Sequence, residues 1–337
     1  MLGLGLLALV LWFTAPSAPE GLERVYARGL YPRLAALLVP VGDALPFSLA
    51  ALLAFALPLG VGAGVALRLR AGRPGRALEL FLAALILGGV SFVVLWGANY
   101  RRMSVETQFG LDPALAAGSL GPLLDELARV IAATAAGERD EARAAASLRR
   151  SLQDTLEATT GLRPTLPERF KTLPPGLLIR LGGASGVMSP WTLEPHLDGA
   201  LPEVSRLAIG LHELAHVAGY AGEADADFVA ALAGLRATDL FGRYAVALRT
   251  FGEALAQLPA AERALWSGRL PEVARRDLAR MAEPYARFRA PRVLGVWQRR
   301  LYDRYLRSQG VAAGVEDYSR ALRLLLGAQR QGLLEPP

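Results

Sequence analysis

The chain has 337 residues, 53% of them hydrophobic, no cysteine and a formal net charge of +6. A mean hydropathy of +0.29 is too apolar for an average soluble protein, and the length leaves room for membrane spans plus one domain. The absence of cysteine excludes disulfides, thiolate metal sites and cysteine nucleophiles, and the basic residues are almost all arginine (Lys171 is the only lysine) scattered through amphipathic patterns, so nucleic-acid binding is not expected.

In chain order, residues 1–102 read as a membrane region. Residues 1–16 are apolar and lack the positive start of a signal peptide, so a retained short span is expected there. Over residues 21–40, Arg24, Arg28 and Arg33 alternate with Val25, Leu30, Leu34 and Leu37, as in a helix lying along a membrane surface. Residues 44–67 contain no charge and can cross a hydrocarbon core as a helix carrying Pro58. A further span is expected over 79–98, ending near Trp96 and Tyr100, which favour the interface. Arg68, Arg70, Arg73 and Arg76 crowd the connection between these two spans, which reads as cytoplasmic; Arg101 and Arg102 pull more weakly the other way. The chain beyond residue 102 is then expected outside the cytoplasm.

Residues 103–332 read as a mostly helical domain with a few strands, followed by a tail at 333–337. Helical spacing covers Pro113–Ala136 and Asp140–Thr160, parted at Gly137. A strand is expected at Leu177–Leu181, with Gly182-Gly183 as its turn. Glu194–Leu201 is expected as an edge strand able to hold an extended substrate by strand addition. His196 lies in that stretch, either as a donor to a substrate carbonyl or as a loop histidine. Further helices are expected at Thr238–Gln257, at Ala260–Ser267, over Pro271–Gln309 with breaks at Pro284 and Pro291, and at about 315–330.

The most informative stretch lies between these elements. His212-Glu213-Leu214-Ala215-His216 is an HExxH pattern within a helical run marked by Leu207, Leu211, Leu214 and Val217. Residues four apart share a helix face, so His212 and His216 can address one metal ion. Glu213 projects toward the same cavity without joining the ligands, as suits a general base. The chain has three histidines in all, and from such a composition the pattern arises by chance on the order of once in several hundred chains. Gly219 can end the helix in a left-handed conformation. A second periodic run then starts at Glu223, whose carboxylate can swing back as third ligand; Asp225 is the competing candidate. Asp227, one turn later, is expected to hold a ligand imidazole by its free N–H. A catalytic zinc site needs three protein ligands and an open position, which His212, His216 and Glu223 would supply. Tyr220, Tyr285, Tyr318, Arg276 and Arg320 are candidates for stabilising an oxyanion.

HExxH followed by Glu223-x-x-Ala-Asp227 resembles the gluzincin zinc peptidases, in which that glutamate is the third ligand. Nearly the whole chain also resembles an uncharacterised bacterial family of multi-pass membrane proteins that carry HExxH. The matching stretches are Leu45-Pro46-Phe47-Ser48, Trp96-Gly97-Ala98-Asn99-Tyr100-Arg101, the HELAH segment, Ala274-Arg275-Arg276-Asp277-Leu278 and Gly314-Val315-Glu316-Asp317-Tyr318-Ser319-Arg320. That family usually has Glu-Ala-Asn where this chain has Asp225-Ala226-Asp227. Its stretches favour Arg276 and Tyr318 among the oxyanion candidates. The resemblance implies a mainly α fold: transmembrane helices, then a gluzincin-like domain with a short edge strand before the HExxH helix. It also implies residence in the bacterial cytoplasmic membrane.

The expected function is that of a membrane-anchored zinc hydrolase, a peptidase acting on a peptide or protein substrate, with the bilayer as its other partner. Two rivals stand beside it. One is a membrane scaffold or regulator whose metal site is structural or vestigial. The other keeps the chemistry but acts on an amide of a lipid or cell-wall component.

Overall fold

Two long apolar runs build the first part of the molecule, and the computed structural model describes residues 2–14, 18–288 and 318–334. Helix α1 (Leu2–Thr14) is 13 residues long, about 20 Å at 1.5 Å per residue. That is shorter than a hydrocarbon core of about 30 Å, and α1 packs along a later helix. Helix α2 (Pro19–Leu22), a π-helical stretch (Glu23–Leu30) and α3 (Tyr31–Ala44) run on from one another. Their inner side buries Tyr26, Ala27, Tyr31, Ala35 and Val39 in the core, while Val25, Leu37 and Val41 face outward. The amphipathic segment expected at 21–40 therefore has a protein-facing side as well as an exposed apolar one.

Helices α4 (Leu49–Arg70) and α5 (Pro74–Leu95) form a hairpin, each with 22 residues and mean hydropathies of 2.1 and 2.4 over their most apolar windows. Among the described residues these are the two helices long and apolar enough to cross a membrane. They present Phe55, Leu57, Leu59, Phe81, Leu85 and Leu87 to the outside. The first starts later than expected because the Ser48 side chain caps it, accepting from the Ala51 N–H at 2.9 Å, which leaves Leu45–Phe47 as a link from α3.

After a 3-10 turn (Gly97–Arg101) come α6 (Val105–Phe109), a second such turn (Pro113–Ala116), α7 (Gly121–Thr134) and α8 (Glu141–Thr160). The expected helix at 113–136 is thus two pieces, broken at Ala117–Leu120. Strand β1 (Lys171–Leu173), helix α9 (Leu177–Gly182), β2 (Gly186–Met188) and β3 (Pro195–Asp198) come next. Two expectations are corrected here. Leu177–Leu181 is helical: the buried Asp198 carboxylate accepts from the N–H groups of Gly176 at 2.6 Å and Leu178 at 3.0 Å, capping a helix start rather than a strand. The stretch expected at an edge, Glu194–Leu201, holds the central strand, because the sheet order is β1-β3-β2. Strand β3 runs parallel to β1 and antiparallel to β2, with Val187 opposite His196 and Gly186 opposite Leu197.

The rest is helical: α10 (Glu203–Val217), α11 (Glu223–Leu235), α12 (Leu240–Ala256), α13 (Ala260–Gly268), α14 (Glu272–Arg287) and α15 (Tyr318–Arg330). Pro284 does not break α14 but lies inside its last turn; Pro291 and the remainder of the expected 271–309 segment lie outside the described residues. The core packs α8, α11 and α12 around α10, with Phe228, Phe241, Tyr244 and Phe251 fully buried. Helix α10 has almost no exposed face: every residue from Leu207 to Val217 is buried, including both histidines and Glu213.

Candidate metal centre

A buried helix can carry two imidazoles and a carboxylate only if each has a partner, and the surroundings of α10 supply them. The helix ends in a Schellman motif: Gly219 takes φ +92°, its N–H donates to the His216 carbonyl at 2.9 Å, and the Tyr220 N–H donates to the Ala215 carbonyl at 3.1 Å. This reversal sends the chain into α11 within a few residues, so Glu223 returns to the histidine face. It also aims the Tyr220 carbonyl at Nδ1 of His216, 2.7 Å away. A carbonyl can only accept, so Nδ1 carries the proton and Nε2 is left to face the centre.

His212 is held in the same sense. Oδ1 of Asp227 stands 2.6 Å from its Nδ1, at an oblique angle, and Asp227 in turn accepts from Arg249 at 2.8 Å. Arg249 also donates to Glu253 at 2.7 Å. The Nε2 atoms of His212 and His216 lie 3.3 Å and 3.7 Å from Oε2 of Glu223, and the three ligand atoms fall within 4.8 Å of one another. Donors about 2.0–2.1 Å from a tetrahedral zinc are separated from each other by roughly 3.4 Å, so the spacing fits such an ion. The donor chemistry fits as well. Two ring nitrogens whose opposite atoms are engaged, and one carboxylate, converge on a point that only a cation or shared protons can satisfy.

The electrostatics of these groups express the same demand. Burial lowers the pKa of His212, but Asp227 and Glu223 outweigh it and push the ring up to about 10. His216 is likewise raised, burial being overcome by Glu223. Glu223, although largely screened from solvent, is held well below the usual carboxylate range by the two rings. Glu213 goes the other way: burial raises its pKa. Its Oε2 is buried with no hydrogen-bond partner among the described residues, and its Oε1 lies against the backbone of Gly186, where an added Cβ would stand 2.4 Å away. Strand β2 therefore runs directly past the Glu213 carboxylate.

The structure brings together His212, Glu213, His216, Glu223 and Asp227. It separates the others. Asp225, the competing ligand, is paired with Arg320 at 2.7 Å, and Arg320 also grips Glu106 at 2.9 Å, which keeps both out of the centre. Arg276 is exposed on α14 beside Glu272. Tyr220 is buried under Arg102, with its hydroxyl donating to Gln108 at 3.2 Å. The Tyr318 side chain lies outside the described residues. His196 is neither a donor at the centre nor a loop residue: it is buried in β3, with Nε2 2.7 Å from the Ser48 hydroxyl and Nδ1 3.2 Å from the Val187 carbonyl. Burial lowers its pKa.

Three neighbours escape the sequence reading. Trp96 donates from its indole to the His216 carbonyl at 3.1 Å and meets the His216 ring edge-on at 6.1 Å. Arg249 and Gly186 complete the surroundings. Arg249 leaves a signal, a charge paired at helical spacing with Glu253 amid the apolar residues of α12; Gly186 leaves none.

These features define a mainly helical protein with a buried cluster of two histidines and one glutamate beside a hairpin long and apolar enough to cross a membrane. A family model described as "Protein of unknown function (DUF3810)" matches residues 26–326, and the chain belongs to that family. No curated protein and no solved structure matches it.

Proposed function

We propose that the protein is a membrane-anchored, zinc-dependent hydrolase of the gluzincin kind, acting on the peptide bonds of a protein substrate. The observation that carries this reading is the convergence of His212 Nε2, His216 Nε2 and Glu223 Oε2 beside a Glu213 oxygen that is buried and unpartnered. A structural metal site has no use for that fourth group. When bound, zinc polarises a carbonyl and lowers the pKa of water to about 7.

The chain's own residues do the rest. Glu213 takes the proton of the attacking water and passes it to the leaving amine, and its raised pKa suits both transfers. Asp227 and the Tyr220 carbonyl fix the two imidazoles, so neither ring turns during turnover. The open edge of β2 offers backbone groups to an extended chain passing Glu213. Hairpin α4–α5 anchors the domain in the bacterial cytoplasmic membrane. Arg68, Arg70, Arg73 and Arg76 at the hairpin's turn favour that end inside, with the metal centre outside.

A paired substitution tests the chemistry. Glu213→Gln should keep zinc at wild-type stoichiometry and lose turnover by at least about 10²-fold; His212→Ala should lose both metal and turnover. Purified wild type without zinc, or a Glu213→Gln strain with the wild-type phenotype, would favour the scaffold alternative. A reporter fused at the C-terminus and active only in the cytoplasm would overturn the orientation.

A further inference from the structure

Strand β2 packs on the metal helix, and the strand beside it, β3, meets the start of the apolar hairpin. Neighbouring strand residues alternate faces. Gly186 and Met188 turn toward α10, where Gly186 touches Glu213. Val187 turns to the opposite face, shared with its cross-strand partner His196. That face is the one seated on the hairpin, because His196 contacts Ser48, the cap of α4, and Glu194 accepts from the Leu49 and Ala50 N–H groups at 3.0 Å and 2.6 Å. The turn after β2 meets the other helix: the Trp191 indole donates to Ser91 of α5 at 3.1 Å, and its ring lies 6.1 Å from Phe92.

Three large apolar side chains at this junction remain outward: Phe47 is 50%, Val187 43% and Trp191 45% exposed. A soluble domain has no reason to leave an indole and a phenyl uncovered beside this small sheet. A strand lying at the lipid surface does, since aromatic side chains settle where hydrocarbon meets headgroups. The metal centre is at the same level, because Trp96, the first residue past α5, holds the last turn of the metal helix.

We infer that the substrate is the juxtamembrane stretch of another membrane-anchored polypeptide, laid as an extended strand on the outer edge of β2 at the lipid surface. This rests on the hydrolase reading and deepens it. The alternation of β2 sets the pattern: side chains of the bound strand that share the Val187 face point toward lipid, and those that share the Gly186 face point toward the metal. An extended chain advances about 3.3 Å per residue, so roughly ten residues give about 33 Å of reach, and a bond beside Glu213 is taken to fall within that distance of the substrate's own span.

Two measurements on the full-length protein test this. The chain has no cysteine, so Val187→Cys and Phe47→Cys can each carry a single fluorophore in phosphatidylcholine–phosphatidylglycerol vesicles. Quenching by lipids brominated near the head of the acyl chain is expected at both positions, with little quenching by aqueous iodide; iodide quenching alone at both would overturn the placement. Separately, new peptide ends present in wild-type cells and absent in Glu213→Gln cells should lie within roughly ten residues of a membrane span. Glu213-dependent ends in soluble proteins, or far from any span, would overturn the proposal while leaving the hydrolase standing. No Glu213-dependent ends at all would remove both.

Discussion

Asp227 has two jobs at one oxygen: it steadies the His212 ring and receives the Arg249 guanidinium. Replacing it with asparagine keeps the shape and removes the charge, so zinc affinity should fall about 10–100-fold, as read by competition with a chromogenic chelator. At Gly186 the constraint is steric. Gly186→Ala places a methyl 2.4 Å from Oε1 of Glu213, so the carboxylate must move. Turnover should drop roughly 10²-fold, the usual cost of misplacing a reacting group by about 1 Å, while zinc content stays at the wild-type level.

The histidines also set a pH dependence. Although burial alone would lower it, the folded-state pKa of His212, at about 10, stands above the roughly 6.5 of a solvated imidazole, so the metal-free fold holds a proton that the unfolded chain releases. That stabilisation is full below about pH 6.5 and is lost as pH rises toward the folded value. On the zinc reading, metal binding would displace the same proton, so affinity should strengthen as pH rises. The difference in melting temperature between zinc-loaded and chelator-treated protein should therefore widen from pH 6 to pH 9; a difference that narrows would contradict the assignment.

At the scale of elements, the turn from α10 to α11 is what makes a site from two helices. Gly219 adopts φ +92°, and an added Cβ would meet Asn99, Arg102 and Tyr31 at 3.0–3.2 Å. Gly219→Ala should cost about 1–2 kcal/mol for the left-handed backbone alone, with more for the contacts. A melting temperature lower by several degrees and weakened zinc binding should appear together. The metal helix, this turn and the return of Glu223 are legible in the sequence because they depend on local spacing: four residues between rings, a glycine at the end, an acid at the next start. The small sheet is not. Leu177–Leu181 is five residues long and apolar but for Arg180, too short a run for its period to separate helix from strand, and its state is decided by Asp198, farther along the chain. The edge and centre of the sheet are likewise set by pairing between segments, which is why β2 rather than β3 passes Glu213. Trp96 reads as an interface anchor by its position after an apolar run; its bond to the His216 carbonyl is a tertiary fact that no local pattern encodes.

Taken whole, the molecule joins an apolar hairpin to a buried polar centre with little between them. The indole of Trp96 holds the end of the metal helix, Ser91 holds the turn after β2, and Ser48 holds the central strand. Helices of 22 residues reach about 33 Å at 1.5 Å per residue, slightly more than a typical hydrocarbon thickness of about 30 Å, and such an excess is relieved by leaning. With the hairpin in lipid, short acyl chains would lean it further and long ones would bring it upright. Each change would be passed through three side chains to the strands and the helix that carry Glu213, making lipid chain length a mechanical input to the angle between that helix and the bilayer plane.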